Sequence, residues 1–176
     1  MRTIKKLTDN KFLNIKEVAD SDMHVKAYQF AERRGVDSVA FICVKIDENK
    51  RPTYLLNHEC TPPTGEMLDR AFGGSLDKEK ALVDIVIGEV REEAGYVVTT
   101  DNVFPLGKTF VSTQMNQYCH LFLVMVLDSG KIEREPENEC EATSTPIWKS
   151  EDEITNGSDW KSITIMWKAK WNGIVP

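Results

Sequence analysis

The sequence predicts an α/β (α+β) domain in which a mixed sheet lies between helices, preceded by a small N-terminal β segment. Three observations predict it. Runs rich in β-branched and aromatic residues lie on both sides of one helical segment. A second helical segment, with tryptophans at helical spacing, closes the chain. The length, 176 residues with 41% hydrophobic side chains, suffices for one well-cored domain. Strands, a helix, more strands and a closing helix suit a layered architecture. The expected division is an N-terminal β segment over residues 1–34 and a main domain over 35–176.

Taken in order, the opening MRTIKKLTDNKF has basic residues but no apolar stretch behind them, so no signal peptide is expected. NKFLNIKEV (10–18) and HVKAYQFA (24–31) alternate as strands do, and RRG (33–35) marks a turn. VDSVAFICVKI (36–46) reads as a central strand, DENKRP (47–52) as a hairpin loop and TYLLNHE (53–59) as the returning strand. CTPPTGEML (60–68), with two prolines and a glycine, reads as a loop, and AFGG (71–74) leads into a helix. That helix is predicted over about 78–94, started by Asp77 and ended by Gly95, a residue suited to the left-handed C′ position.

YVVT (96–99) follows as a short strand. VFPLGKTFVST (103–113) and YCHLFLVMVLD (118–128) form a β-pair joined by a polar loop. EREPENECEATST (133–145) is an acidic loop, and PIWKSEDEI (146–154) gives a strand and a capped helical turn. In the last helix, 158–171, Trp160, Ile163, Trp167 and Trp171 share a face, expected to be core or dimer interface.

The net charge of -6 and the absence of a basic tract argue against general binding to nucleic acid or an anionic membrane. No apolar run approaches the ~20 residues that span a bilayer. Cys43, Cys60, Cys119 and Cys140 are far apart and form no C-x-x-C pair, so reduced cysteines and a cytoplasmic location are expected. His24, His58 and His120 show no metal-ligand spacing, and His120, in an apolar strand, reads as a core residue.

The stretch GGSLDKEKALVDIVIGEVREEAGY (73–96) carries the chemistry. On a helix Glu89, Glu92 and Glu93 are i, i+3 and i+4 and share a face that Leu82, Ile85 and Val86 begin. Negative charge at a helix C-terminus costs about 0.3–1 kcal/mol per group, so something should offset it. Carboxylates of this kind hold hard divalent cations such as Mg²⁺, which joins a few of them to substrate phosphates. A solvated acidic turn partly neutralised by Arg91 or Lys78 is the other reading of the same spacing.

The stretch resembles the Nudix box, G-x5-E-x7-R-E-U-x-E-E-x-G-U. Gly74, Glu89, Val90, Glu92, Glu93 and Gly95 match, and Tyr96 takes the last bulky position. Lys80 stands where the pattern has Glu, and Gly88 where it has Arg. Over roughly residues 30–176 the chain looks most like the ADP-ribose pyrophosphatase branch of that superfamily. The segments carrying this are ERRGVDSVAFICV, YLLNHECTPPTG, DRAFGGSLDKEK, YCHLFLVMV and PENEC.

The resemblance implies a Nudix-like α/β/α sandwich and hydrolysis of the pyrophosphate bond of ADP-ribose or a related nucleoside diphosphate derivative. It implies Mg²⁺, or Mn²⁺, held by Glu89, Glu92, Glu93 and Gly73, with Glu92 and either Glu137 or Glu139 in catalysis. Arg33 and Arg34 are candidates for phosphate or ribose contacts. Where the branch often carries an arginine in the strand around 55–60, this chain has Glu59 and Cys60, with Arg70 as the replacement. Tyr28 and Phe30 are candidates for stacking on a base. A homodimer using the N-terminal strands and last helix is implied too. Two alternatives stay open. One is a Nudix hydrolase of dinucleotides, damaged nucleoside triphosphates or RNA caps; the other is a catalytically weak nucleotide-sensing module.

Overall fold

A computed structural model describes residues 1–176 except Arg34, Val36, Asp77, Lys78, Asn138 and Ser158, and without the side chains of Glu139 and Cys140. The chain opens with three antiparallel strands, β1 (Arg2–Lys6), β2 (Leu13–Asp20) and β3 (Val25–Arg33), which form a sheet of their own. β1 was not foreseen, because RTIKK alternates without burying either face.

The main sheet is built around β4 (Ser38–Ile46), buried from Ser38 through Val44. A strand buried on both faces has no polar side to present, hence its continuous apolar run. Its neighbours are β5 (Pro52–Thr61), β6 (Glu66–Arg70), β7 (Phe72–Ser75), β8 (Val103–Phe110), β9 (Tyr118–Met125) and β10 (Thr145–Lys149). The order is β10-β5-β4-β9-β8, with β6 on β5 and β7 on β4. β4 and β9 run parallel and the other pairs antiparallel, so the sheet is mixed.

One edge of β4 is shared by two partners. Cys43–Ile46 pair with β5, whereas Ser38–Phe41 pair with β7. Past that division β5 turns its Asn57–Thr61 segment to β6 instead. The sheet therefore splits, and the split holds the site. The hairpin over 60–68 replaces the expected loop. Both prolines fall in its turn, where Gly65 N–H closes on the Thr61 carbonyl at 2.8 Å, so they remove no ladder bond.

Helix α1 (Leu82–Glu89) covers one face over Val39, Phe41, Phe72 and Val124. The expected start at Asp77 lies outside the described residues; the helix begins after Ala81, which makes no side-chain cap. Val90–Ala94 continue it as a π-helical turn, and Gly95, at φ 73°, ends it in the left-handed region as expected. The strand expected at 96–99 is only a bridge from Tyr96 to Lys131.

The short helix α2 (Glu139–Thr143) interrupts the acidic loop. Helices α3 (Glu151–Gly157) and α4 (Trp160–Trp171) cover the other face over Ile42, Val44, Leu121 and Leu123. The α/β/α sandwich expected from the resemblance is thus the fold observed.

Of the two roles expected for the tryptophan face of α4, core or dimer interface, the core is corrected. Ser162, Ile165, Met166 and Ala169 face the core, while Trp160, Trp167 and Trp171 are exposed. Trp171 is 92% exposed. Helical spacing says which residues share a face, not which face the sheet covers. Among the described residues no helix is long and apolar enough to cross a membrane. Cys43 and Cys119 are buried free thiols.

Candidate active site

The split opens into a cavity of about 420 Å³, lined from β5 and β6 on one side and from β7 and α1 on the other. β7 is its rail. The Gly73 N–H donates to Glu93 Oε2 at 3.3 Å. A side chain on Gly73 would put Cβ 2.8 Å from the Val39 carbonyl oxygen, and one on Gly74 would put it 2.0 Å from Glu89 Oε1. Both glycines let carboxylates and backbone approach closely.

Glu93 is 7% exposed. Burial, and after it the charge of Glu89, pushes its carboxyl up to about 8, with the Gly73 N–H opposing and Glu141 and Glu59 adding to the rise. Glu89 and Glu92 are half-buried and line the same cavity. The π-helical turn widens the helix between Glu89 and Glu93 without removing either from the site.

Among the described residues no three His, Cys, Asp or Glu side chains converge as a ready-made ion cage. The donors nevertheless fit a hard divalent cation. They are carboxylates, the most buried one is crowded by like charge, and Mg²⁺ commonly takes one or two carboxylates and completes its shell with water and substrate phosphate.

Arg33, Arg70, Gly73 and Glu137 also line the cavity. Gly73 bonds to the carboxylates through its N–H. Arg33 Nη2 donates to Ser75 Oγ at 3.2 Å. Arg70 Nη1 donates to Glu59 Oε1 at 2.8 Å, so the acid noted in place of the branch's arginine holds the replacement.

The side chains of Arg34 and Glu139 lie outside the described residues; Glu139 opens α2. Arg134 fastens that helix, donating to the carbonyls of Ser144 and Glu141 at 2.7 and 2.8 Å. Tyr28 is not brought to the cavity. It lines a groove of about 160 Å³ beside Phe30 and Phe110, and its hydroxyl donates to the Thr113 carbonyl at 2.9 Å.

The sequence reading missed Asn57, Gln117, Glu141 and Lys161, all in the cavity wall. Asn57 is 3% exposed. Its Nδ2 donates to Glu59 Oε2 at 3.1 Å, and its Oδ1 has no hydrogen-bond partner among the described residues. No signal marked it, since one asparagine in a strand is unremarkable until the sheet is seen to split beside it. Lys80 and Gly88, the two departures from the box, line the cavity as well. A side chain at Gly88 would meet only Glu92 Oε1, at 4.0 Å.

No protein-family model matches the chain, and no curated sequence matches it. A solved structure does. The crystal structure of an ADP compounds hydrolase aligns over 98% of this chain and 95% of its own, with a TM-score of 0.71 at 12% identity. The two chains share one fold. The match runs through the N-terminal sheet as well as the sandwich, since almost the whole chain takes part.

Proposed function

We propose that the protein hydrolyses the pyrophosphate bond of ADP-ribose or a related nucleoside diphosphate derivative, giving a nucleoside monophosphate and a phosphorylated sugar. One observation carries this reading: Glu89, Glu92 and Glu93 share a cavity with Arg33 and Arg70. The fold shared with an ADP compounds hydrolase supports it.

Glu89, Glu92 and Glu93 would hold Mg²⁺ or Mn²⁺. A cation bound there supplies Lewis acidity, charge neutralisation and an acidified water. The protein's own groups do the rest. The Gly73 N–H orients Glu93. Arg70 takes oxygens of the diphosphate, with Glu59 holding its fork in place, and Arg33 takes a phosphate or ribose oxygen beyond it. Glu137, on the segment leading into α2, orients the attacking water or accepts its proton, with Glu139 on the same segment as the alternative. The reading includes a cytoplasmic homodimer whose residues 1–34 form a β segment at the interface and whose residues 35–176 form the hydrolase domain.

Lys80 and Gly88 favour a second reading, a nucleotide-binding module with weak catalysis. A hydrolysis screen across nucleoside diphosphate derivatives with Mg²⁺ and Mn²⁺, alongside Glu93→Gln, separates the two. The hydrolase reading expects turnover of ADP-ribose and at least a hundredfold loss in the variant, roughly 2.7 kcal/mol of transition-state stabilisation. Tight nucleotide binding with no phosphomonoester released would select the second reading. Equal turnover by both proteins would remove Glu93 from the mechanism.

A further inference from the structure

The cavity has two electrical ends, and they follow one another along β7. Glu93 meets the Gly73 N–H, Glu89 occupies the space beside Gly74, and Arg33 meets Ser75. Two residues of extended strand, about 6.6 Å, separate the first contact from the last. Ser75 pairs with Ser38 across β4 and β7. Ser38 Oγ accepts from Gln117 Nε2 at 3.1 Å, and both side chains are buried in the cavity wall.

Lys161, in the first turn of α4, reaches the same wall from the opposite face of the sheet. Its position is marked by Cys119, the parallel partner of Ser38. Burial raises that thiol, while a hydrogen bond with Ser38 and the charge of Lys161 pull it down. The nearby Asp159 carboxylate is engaged as the cap of α4, accepting from the Ser162 N–H at 2.8 Å and the Ser162 hydroxyl at 2.6 Å.

Among the described residues neither Arg33 nor Lys161 forms an ion pair; Lys161 lies over the Trp160 ring at 6.0 Å. Arg70, by contrast, is already matched to Glu59. Among the described residues Arg33 and Lys161, like Lys80 on the same wall, have no carboxylate partner in a cavity otherwise rich in carboxylates, and Arg33 and Lys161 are arranged for an anion that arrives from outside.

We infer that Arg33 and Lys161, set around the buried Ser38–Gln117 pair, form a second anion subsite that takes a phosphomonoester carried by the substrate in addition to its diphosphate. This rests on the hydrolase reading and narrows its substrate class to nucleoside diphosphate derivatives bearing one more phosphate. The placement supports it: Arg33 meets β7 at Ser75, beyond the carboxylates at Gly73 and Gly74, and Lys161 enters from the other face of the sheet, so the cationic end lies apart from the acidic wall. The extra phosphate has two sources, the adenosine ribose or the terminal ribose, and both put the same chemistry before an arginine fork and a lysine ammonium.

The test compares ADP-ribose with ADP-ribose phosphorylated on the adenosine ribose and with ADP-ribose phosphorylated on the terminal ribose. Wild type, Lys161→Gln and Arg33→Gln are assayed by hydrolysis and, without added metal, by calorimetric binding. The expectation is at least a tenfold advantage in kcat/KM and in affinity for one phosphorylated compound. Each variant should erase that advantage, and the favoured compound names the source. Hydrolysis of all three compounds with no such advantage, or an advantage that survives both substitutions, overturns the subsite alone. A tenfold binding preference lost in the variants, with no hydrolysis of any compound, upholds the subsite and overturns the hydrolase reading.

Discussion

Glu89 Oε1 occupies the space a side chain on Gly74 would need: a Cβ there would lie 2.0 Å away. Gly74→Ala must therefore rotate Glu89 out of its place. Because the displaced atoms belong to a flexible side chain, folding should suffer little, and the expected outcome is at least a tenfold loss of kcat/KM with the melting temperature nearly kept. Gly73→Ala should behave in the opposite way. Its Cβ would press on the Val39 carbonyl at 2.8 Å, and a backbone clash of this kind costs about 1–3 kcal/mol. Urea unfolding of both variants beside steady-state kinetics checks the contrast.

Glu93 should lower the stability of the metal-free protein. Its carboxyl is buried and faces the charge of Glu89. With its carboxyl raised to about 8, Glu93 must take up a proton on folding at neutral pH, and glutamine keeps the shape and the bond from Gly73 without that cost. Glu93→Gln should raise the free energy of unfolding at neutral pH by about 1–3 kcal/mol. Magnesium should narrow the gap, because ligand binding stabilises the wild type more. A variant less stable than wild type without metal would show that Glu93 is held by contacts worth more than its burial costs.

Asp69 links the β5–β6 hairpin to β10. Burial acts to raise its carboxyl, but Lys149 at 2.9 Å and His58 Nδ1 at 2.6 Å outweigh that and hold it below the ordinary 3.8. A depressed native pKa contributes stability that is present above the unfolded value and lost as pH falls through the native one. Wild type should therefore lose stability in acid below about pH 4 more steeply than Asp69→Asn. Unfolding curves taken down the acid range would show parallel slopes if the pair contributed nothing.

The two faces of α4 should separate cleanly. Ile165 is fully buried and Trp171 is 92% exposed. Ile165→Ala should cost about 2–5 kcal/mol, the usual range for a core truncation. Trp171→Ala should stay within about 0.5 kcal/mol, as surface changes do. Thermal unfolding at low protein concentration measures both.

What the chain declared in advance follows from how far each signal reaches. The buried run of β4 and the helical spacing of Glu89, Glu92 and Glu93 are local patterns, and both survive in the structure. The split sheet is not local. Whether β5 stays with β4 or leaves for β6 depends on registers set by residues far apart, so the hairpin at 60–68 read as a plain loop and β7 as a lead-in. Lys161 was illegible for the same reason: a lysine in a first helical turn looks like a solvated residue until the fold brings α4 to the cavity that Ser38 also lines. The tryptophans misled as core candidates because bulk is a sign of burial only on average.

The cavity takes Arg33 from before the central strand and Lys161 from the last helix. During synthesis on the ribosome, most of the chain must emerge before these two walls can meet. A nascent chain halted short of α4 would carry every glutamate of the acidic wall yet lack the cation opposite. A ligand bound across both walls, as proposed, would assist the final docking of that helix rather than the earlier pairing of strands.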